Sequence, residues 1–185
     1  MLETAILQAA ADELAESGYA GLTMDRVARR AGTNKNAIYR RWPNRAALCV
    51  AAYRRMLPTS PEETPDTGSL RSDALAVLNR GNARMSSPEG AILRGLLADL
   101  QSDPELIREV RGQLPGAGLG PWMTVLARAV ARGEAGPGAM LPRVATVAVD
   151  LLRNEYAVHG ITEVPPAILE EIVDQVFLPL VKAHS

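Results

Sequence analysis

The sequence predicts an all-α protein. Apolar residues make up 47% of the 185 residues and aromatic residues only 4%, so the core must consist mainly of alanine, leucine and valine. Runs rich in Ala, Leu, Arg and Glu contain few clusters of β-branched residues, and their apolar positions recur at helical spacing. The charged fraction of 22% is typical of a globular chain rather than a disordered one.

Several classes of protein are disfavoured by composition. The single cysteine, Cys49, excludes an intramolecular disulfide and indicates a cytoplasmic protein. No apolar run approaches the roughly 20 residues of a membrane span, and the N-terminus lacks a signal-peptide pattern. With two histidines, one cysteine and no glycine-rich phosphate loop, we expect neither an enzyme nor a metal site or cofactor.

Charge is distributed unevenly along the chain. The net charge is −1, but residues 1–57 carry +4 and the remainder −5, and residues 22–57 alone carry +8 because Asp25 is their one acid. A basic N-terminal module on an acidic body favours a polyanionic partner for that module. A solvated basic face is the alternative explanation of the same charge.

The first predicted helix covers residues 4–17 and is amphipathic. Its apolar residues share one face, and its acids Asp12, Glu13 and Glu16 are expected to face solvent. Gly18 is expected to end it, because glycine is the preferred residue just after a helix.

Three further N-terminal helices are predicted from their caps. Thr23 is a good N-cap for the second helix, which Gly32 ends, and Asn34 caps a short third helix. Asn44 caps a fourth helix that runs to about residue 56. This succession is typical of a helix-turn-helix, in which the later helix of the pair enters the DNA major groove.

The outer face of the third helix has the chemistry of a DNA-reading surface. Lys35 and Arg40 are able to donate to guanine, and Asn36 is able to pair with adenine. The alternative for each residue alone is surface solubility, and for the turn an ordinary three-helix packing unit.

Phosphate contacts are predicted beside these base contacts. Thr23 and Asn34 lie at helix N-termini, where backbone N–H groups favour anions, and the hydroxyl of Tyr39 is able to reach a phosphate. Arg45 lies in the first turn of the fourth helix, where a cation opposes the helix dipole. We therefore expect an external anion, a DNA phosphate, to compensate it.

The remainder of the chain is predicted to be a second helical domain, 69–185, behind a DNA-binding domain, 1–57. A proline-rich stretch, 58–68, is the predicted linker. Helical patterns follow at about 69–85, 89–101, 105–114, 121–134, 141–159 and 166–182, with breaks that include 115–120.

The last two predicted helices have unusually wide apolar stripes. Such stripes favour a homodimer formed through about 141–182; a well-buried terminal helix pair is the alternative. Pro179 is expected to kink or fray the last turn.

The N-terminal motifs resemble those of the TetR (tetracycline-repressor-like) family of transcriptional regulators. The resemblance rests on Ser17-Gly18-Tyr19, on the run LTMDRVA from Leu22 to Ala28, and above all on AGTNKNAIYRRWPNRAAL from Ala31 to Leu48. It implies a fold of about nine helices, an N-terminal three-helix DNA-binding domain and a C-terminal bundle that dimerises. Asn36 stands where the family commonly has Gly or Ala, which implies a different operator.

The resemblance also implies a function and site residues. It implies a ligand-responsive regulator, by default a repressor, that binds a palindromic double-stranded DNA operator as a homodimer. It assigns base reading to Lys35, Asn36 and Arg40, and adds Arg41 to the phosphate contacts. The alternative is a protein-interaction module with the same fold and no DNA binding.

An effector pocket should combine apolar walls with a few polar groups. The candidate residues, for each of which plain core packing or a surface salt bridge is the alternative, are Met85, Leu93, Leu97, Trp122, Met123, Tyr156 and His159. The expected occupant of this pocket is a small-molecule effector.

Overall fold

A computed structural model describes residues 1–57, 63–98, 103–113 and 119–185. Regular structure within these ranges is helical throughout, which confirms the predicted all-α fold. None of the described helices has the length and apolar character needed to cross a membrane. Residues 58–62 of the predicted linker, the end of the predicted helix 89–101 and most of the predicted break at 115–120 lie outside the described ranges.

The helices follow one another along the described chain with bounds close to those predicted. They are α1 (Leu2–Gly21), α2 (Met24–Arg30), α3 (Lys35–Tyr39), α4 (Arg45–Met56), α5 (Leu70–Ser86), α6 (Pro88–Ala98), α7 (Pro104–Gln113), α8 (Leu119–Ala131), α9 (Pro142–His159), α10 (Pro166–Glu171) and α11 (Leu178–Ala183). A short 3₁₀ turn, Pro137–Ala139, precedes α9.

The chain folds into two compact units. Of the described residues, 1–57, 87–98 and 103–113 form the N-terminal unit, and 63–86 and 119–185 form the C-terminal unit. Helices α6 and α7 therefore belong with α1–α4, although they follow the predicted linker in sequence. The domain division drawn from sequence, 1–57 and 69–185, stays a prediction.

The core of the N-terminal unit is built on α1 and α4. Ile6, Leu14 and Leu48 are almost completely buried there, and Leu96 of α6 and Leu106 of α7 join the same cluster. Helix α1 contacts α2, α4 and α6, and α4 contacts α7. This packing holds the short helices α2 and α3, which are too short to be stable alone.

Glu13 differs from its predicted orientation. It was expected to face solvent with Asp12 and Glu16, but it is 5% exposed. Its carboxylate lies 2.6 Å from Arg26 and 2.9 Å from Arg30, and Arg30 also pairs with Glu16. Glu13 is thus a buried ion-paired contact with α2, whereas Glu16 is exposed as predicted.

The C-terminal unit packs α5, α8 and α9 together with the last helices. Trp122 is buried and meets the Phe177 ring edge-to-face, with centroids 5.0 Å apart. A buried polar cluster links three segments: the Asn82 amide donates to the Val164 carbonyl (2.9 Å), and its carbonyl oxygen accepts from the Val164 N–H (3.2 Å) and the Tyr156 hydroxyl (2.6 Å).

The segment before α5 is fixed by charge. Asp73 is fully buried and accepts hydrogen bonds from the Thr67 N–H (2.5 Å) and hydroxyl (2.8 Å), while Arg132 lies 3.0 Å from its other oxygen. Arg128 donates to the carbonyls of residues 64 and 65. These contacts hold residues 64–67 against α5 and the end of α8.

The final helix is interrupted by a π-helical turn, Ile172–Phe177, between α10 and α11. The N–H of Leu178 accordingly donates to the carbonyl of Val173, five residues earlier. Pro179 lies one residue beyond, and it has no N–H to donate to the preceding turn. The residues after the π turn, Leu178–Ala183, are helical, and the predicted kink or fraying at Pro179 stays a prediction.

Candidate nucleic-acid interface

The turn between α2 and α3 is set by local sequence. Gly32 adopts φ +64°, a conformation that glycine adopts without steric cost. The Thr33 N–H donates to the Ala28 carbonyl at 2.9 Å, which is the six-to-one hydrogen bond of a Schellman helix end. The chain is thereby turned directly into the N-cap of α3.

All three predicted N-caps are observed. The Thr23 hydroxyl accepts the Arg26 N–H (3.2 Å), and the side-chain oxygens of Asn34 and Asn44 accept the N–H groups of the third residue beyond each (3.0 and 2.8 Å). Each cap satisfies one of the N–H groups that a helix start leaves unpaired. These short polar side chains therefore fix where α2, α3 and α4 begin.

Helix α3 has one buried and one exposed face. Ala37 and Ile38 are buried, and Trp42 just beyond the helix is 8% exposed. Five of the predicted DNA-contact residues lie on the opposite face: Lys35, Asn36, Tyr39, Arg40 and Arg41 are all exposed. The structure thus leaves the polar side chains of α3 accessible to a partner, and contact with DNA stays a prediction.

Ion pairs reduce the free positive charge of this surface. Lys35 lies 3.0 Å from Asp25, and Arg41 lies 3.6 Å from Glu3. All four side chains are about half exposed, and such surface pairs contribute roughly 0.2–1 kcal/mol. Arg40 forms no ion pair with any residue that the structure describes.

Arg45 has an internal anion that the sequence did not reveal. Its guanidinium lies 4.1 Å from the centre of the Tyr19 ring and 3.6 Å from the Asp103 carboxylate. The Tyr19 hydroxyl donates to the same carboxylate at 2.5 Å. The premise that only an external anion compensates Arg45 is therefore wrong, although its contact with DNA remains untested.

The electrostatics of this cluster follow from burial and hydrogen bonding. Burial raises the pKa of Tyr19, and its hydrogen bond to Asp103 raises it further. The same hydrogen bond lowers the pKa of Asp103, to which the N–H groups of Glu105 and Leu106 also donate. Asp103 is thus an ionised carboxylate that caps α7 and faces Arg45.

Sequence reasoning missed Asp103 and its contacts with Tyr19 and Arg45. The dipeptide Asp103-Pro104 carried a signal, because Asp followed by Pro is a typical helix start. Nothing local indicated that this cap would face Arg45, which lies 58 positions earlier in the sequence.

The predicted pocket residues are divided between the two units. In the C-terminal unit Met85, Trp122 and Tyr156 are buried and Met123 is half-buried. His159 is exposed and lies 3.7 Å from Glu155. Leu93 packs on the core of the N-terminal unit, where Leu97 of α6 also lies, half-buried.

A groove of about 500 Å³ in the N-terminal unit contains none of these predicted pocket residues. It runs between α1 and α4, and its lining is Gln8, Ala11, Asp12, Ala15, Ala52, Arg55 and Met56. Among the described residues, no group of three or more His, Cys, Asp and Glu side chains is arranged to hold a metal ion.

Comparisons with known proteins match both parts of the chain. Residues 6–52 match the family described as bacterial regulatory proteins, tetR family, and residues 64–176 match the tetracyclin repressor-like C-terminal domain. The chain is 32% identical over 178 residues to a DNA-binding transcriptional repressor TetR of Mycobacteroides abscessus, covering 96% of this chain and 93% of that protein. It is 30% identical over 180 residues to the uncharacterized HTH-type transcriptional regulator Rv1556 of Mycobacterium tuberculosis, covering 96% and 86%.

Solved structures have the same fold. The TetR family transcription regulator SCO0332 superposes with a TM-score of 0.68 at 25% identity, covering 95% of this chain and 96% of that one. The regulator FadR from Bacillus subtilis, solved in complex with stearoyl-CoA, superposes with a TM-score of 0.61 at 17% identity, covering 94% and 99%.

Proposed function

This chain belongs to the TetR family and is a DNA-binding transcriptional regulator, and we propose that it represses transcription from a palindromic operator as a homodimer that a small effector releases. The observation that carries the proposal is the capped helix α3, whose exposed face holds Lys35, Asn36, Tyr39, Arg40 and Arg41. A homodimer would present two such helices to half-sites about 34–36 Å apart.

Base reading is assigned to three side chains of this face. Lys35 and Asn36 occupy the first turn of α3, and Arg40 follows its last residue. Arg40 is the strongest candidate, because it has no ion pair with a described residue and so loses none on binding. Lys35 must first leave Asp25, at a small cost for an exposed pair.

Phosphate contacts are assigned to the edges of the same surface. Thr23 and Asn34 lie at the starts of α2 and α3, and Tyr39 is 47% exposed. Arg41 would exchange Glu3 for a phosphate. Arg45 belongs to this group only after it leaves Asp103.

The direct test compares two arginine variants. Arg40→Ala should weaken binding to DNA from upstream of the chain's own gene by about 1–3 kcal/mol, and it should relax discrimination at one base pair of each half-site. Arg54→Ala is the matched control, because Arg54 is also exposed and without an ion pair in the described chain but lies at the far end of α4. Fluorescence anisotropy over a salt series measures both. Equal losses for the two variants would contradict the assignment of Arg40.

Dimerisation is assigned to α9 and to the helices after it. Beside the buried face of α9, three apolar side chains recur at helical spacing and are half-buried or exposed: Val147, Leu151 and Val158. Val176 is 37% exposed, after α10. Apolar side chains left at the surface in this way favour a self-association face.

The dimer is tested by adding a charge to this face. Leu151→Glu should shift sedimentation at micromolar concentration from dimer to monomer, because a buried unpaired carboxylate is costly. Ala157→Glu adds the same side chain at an exposed position elsewhere on α9 and should leave the dimer intact. A wild-type chain that sediments as a monomer would remove the dimer from the proposal.

Effector control rests on the C-terminal unit. Met85, Met123, Trp122 and Tyr156 supply the apolar and aromatic groups of a binding site there, and the similar fold of FadR was solved with stearoyl-CoA. A panel of acyl-CoA thioesters and free fatty acids, added to the protein–DNA complex, is the first screen. Effector release is unsupported if none of them lowers operator affinity or changes the melting temperature.

A further inference from the structure

Asp103 forms four interactions at once within the N-terminal unit. One carboxylate oxygen accepts the N–H groups of Glu105 (3.0 Å) and Leu106 (3.2 Å), which start α7. The other accepts the Tyr19 hydroxyl at 2.5 Å and lies 3.6 Å from an Arg45 nitrogen. The end of α1, the start of α4 and the start of α7 therefore meet at one ionised side chain.

The position of Arg45 makes this meeting relevant to DNA. Arg45 is the first residue of α4, and Asn44 just before it caps that helix. Its side chain is 38% exposed, so the guanidinium is not enclosed by the protein. The centre of its guanidinium lies 4.1 Å from the centre of the Tyr19 ring, within the range of a cation–π contact.

A carboxylate and a phosphate offer a guanidinium the same chemistry. Each presents two anionic oxygens in a geometry that matches the arginine fork. We propose that Asp103 is a positioning residue whose carboxylate pairs with the Arg45 guanidinium in the DNA-free protein. When the operator binds, a DNA phosphate replaces this carboxylate as the partner of Arg45. The proposal rests on the proposed function, because it requires that Arg45 faces the operator when DNA is bound.

The Arg45–Asp103 pair competes with the DNA phosphate for Arg45 and therefore lowers operator affinity. Each binding event must break the Arg45–Asp103 pair before Arg45 is able to neutralise a phosphate. Removing the charge of Asp103 therefore strengthens DNA binding, and it does so only while Arg45 is present. A general repulsion between Asp103 and DNA would instead act whether or not residue 45 is an arginine.

A double-mutant cycle separates these cases. Asp103→Asn keeps the shape and the capping oxygen, and operator affinity at low salt should rise about two- to fivefold, which is the factor expected for an exposed ion pair. Arg45→Ala should weaken binding, and the double variant should bind as Arg45→Ala does. Fluorescence anisotropy with DNA from upstream of the chain's own gene measures all four proteins.

Two controls keep the result interpretable. Glu105→Gln removes a neighbouring acid of α7 that pairs with Arg108, and operator affinity should change by less than for Asp103→Asn. Asp103→Ser is a second neutral variant with a capping side chain, and it should reproduce the gain if Asp103→Asn folds poorly. The melting temperature of each variant shows whether the substitution destabilises the fold, which separates that effect from a change in DNA affinity.

The outcomes distinguish the exchange from the proposed function. Equal gains from Asp103→Asn with and without Arg45, or no gain in either neutral variant, would overturn the exchange. If Arg40→Ala still weakens operator binding in that case, the DNA-binding surface stands without the exchange. If the wild-type chain shows no salt-sensitive DNA binding, both fall together.

Discussion

The buried amide of Asn82 gives the sharpest prediction of stability. Asn82→Ala removes three side-chain hydrogen bonds, two to the backbone of Val164 and one to Tyr156. The Tyr156 hydroxyl keeps a bond to the main-chain carbonyl of residue 82 at 3.1 Å. Val164, which is 0% exposed, loses these partners for both its N–H and its C=O.

The magnitude follows from these two orphaned groups. An unsatisfied buried polar group costs about 1–3 kcal/mol, so Asn82→Ala should lower the free energy of unfolding by about 2–6 kcal/mol. At about 2–4 °C per kcal/mol for a chain of this size, a central value of about 4 kcal/mol lowers Tm by about 8–16 °C.

The assay compares Asn82→Ala with Asn79→Ala on the same helix. Asn79 is exposed, and its amide donates to the Leu75 carbonyl within α5. Its replacement should change stability by about 0.5 kcal/mol or less, because alanine favours the helix. Urea unfolding followed by circular dichroism, at one protein concentration, measures both. Equal losses for the two variants would refute the role given to the Asn82 cluster.

Three further predictions concern caps, thiol reactivity and pH. Asn34→Ala should lower the free energy of unfolding by about 1 kcal/mol through loss of the α3 cap, measured by urea unfolding, and an unchanged midpoint would contradict it. Burial raises the pKa of Cys49 to about 12, so a thiol reagent at pH 8 should modify unfolded but not native protein; rapid modification of native protein would oppose this. Although burial of Asp73 opposes its ionisation, hydrogen bonds led by the Thr67 N–H lower its pKa. The stabilisation is therefore present above about pH 4 and lost as pH falls through the lower folded value, and Asp73→Asn should flatten stability against pH between about 5 and 2; an unchanged slope would contradict it.

Features that depend on neighbouring residues were predictable from sequence. Thr23, Asn34 and Asn44 cap their helices as expected, because a cap involves a side chain and an N–H only three residues away. Gly32 ends α2 for a similarly local reason. The family resemblance of the N-terminal motifs and the all-α fold, both carried by such local patterns, are confirmed.

Features that depend on distant partners were not predictable. Nothing in the sequence near Glu13 or Asp103 indicates that the fold brings Arg26 and Arg45 to them. The candidate pocket was assembled by residue type, and Leu93 was included although α6 packs in the N-terminal unit. Apolar and aromatic residues fit a pocket and a core equally well in sequence, so the pocket residues stay predictions. The DNA contacts also stay predictions.

The π turn before α11 has a consequence for aligning this chain with its relatives. Leu169, Val173, Phe177 and Val181 are all buried, although they recur every four residues over a span of twelve. Three turns of a regular α-helix hold about 11 residues, so the turn at Ile172–Phe177 accommodates one inserted residue. Relatives with a regular helix here should require a one-residue gap. Deleting one exposed residue of the turn should therefore restore a regular α-helix and keep the buried faces of α10 and α11 aligned.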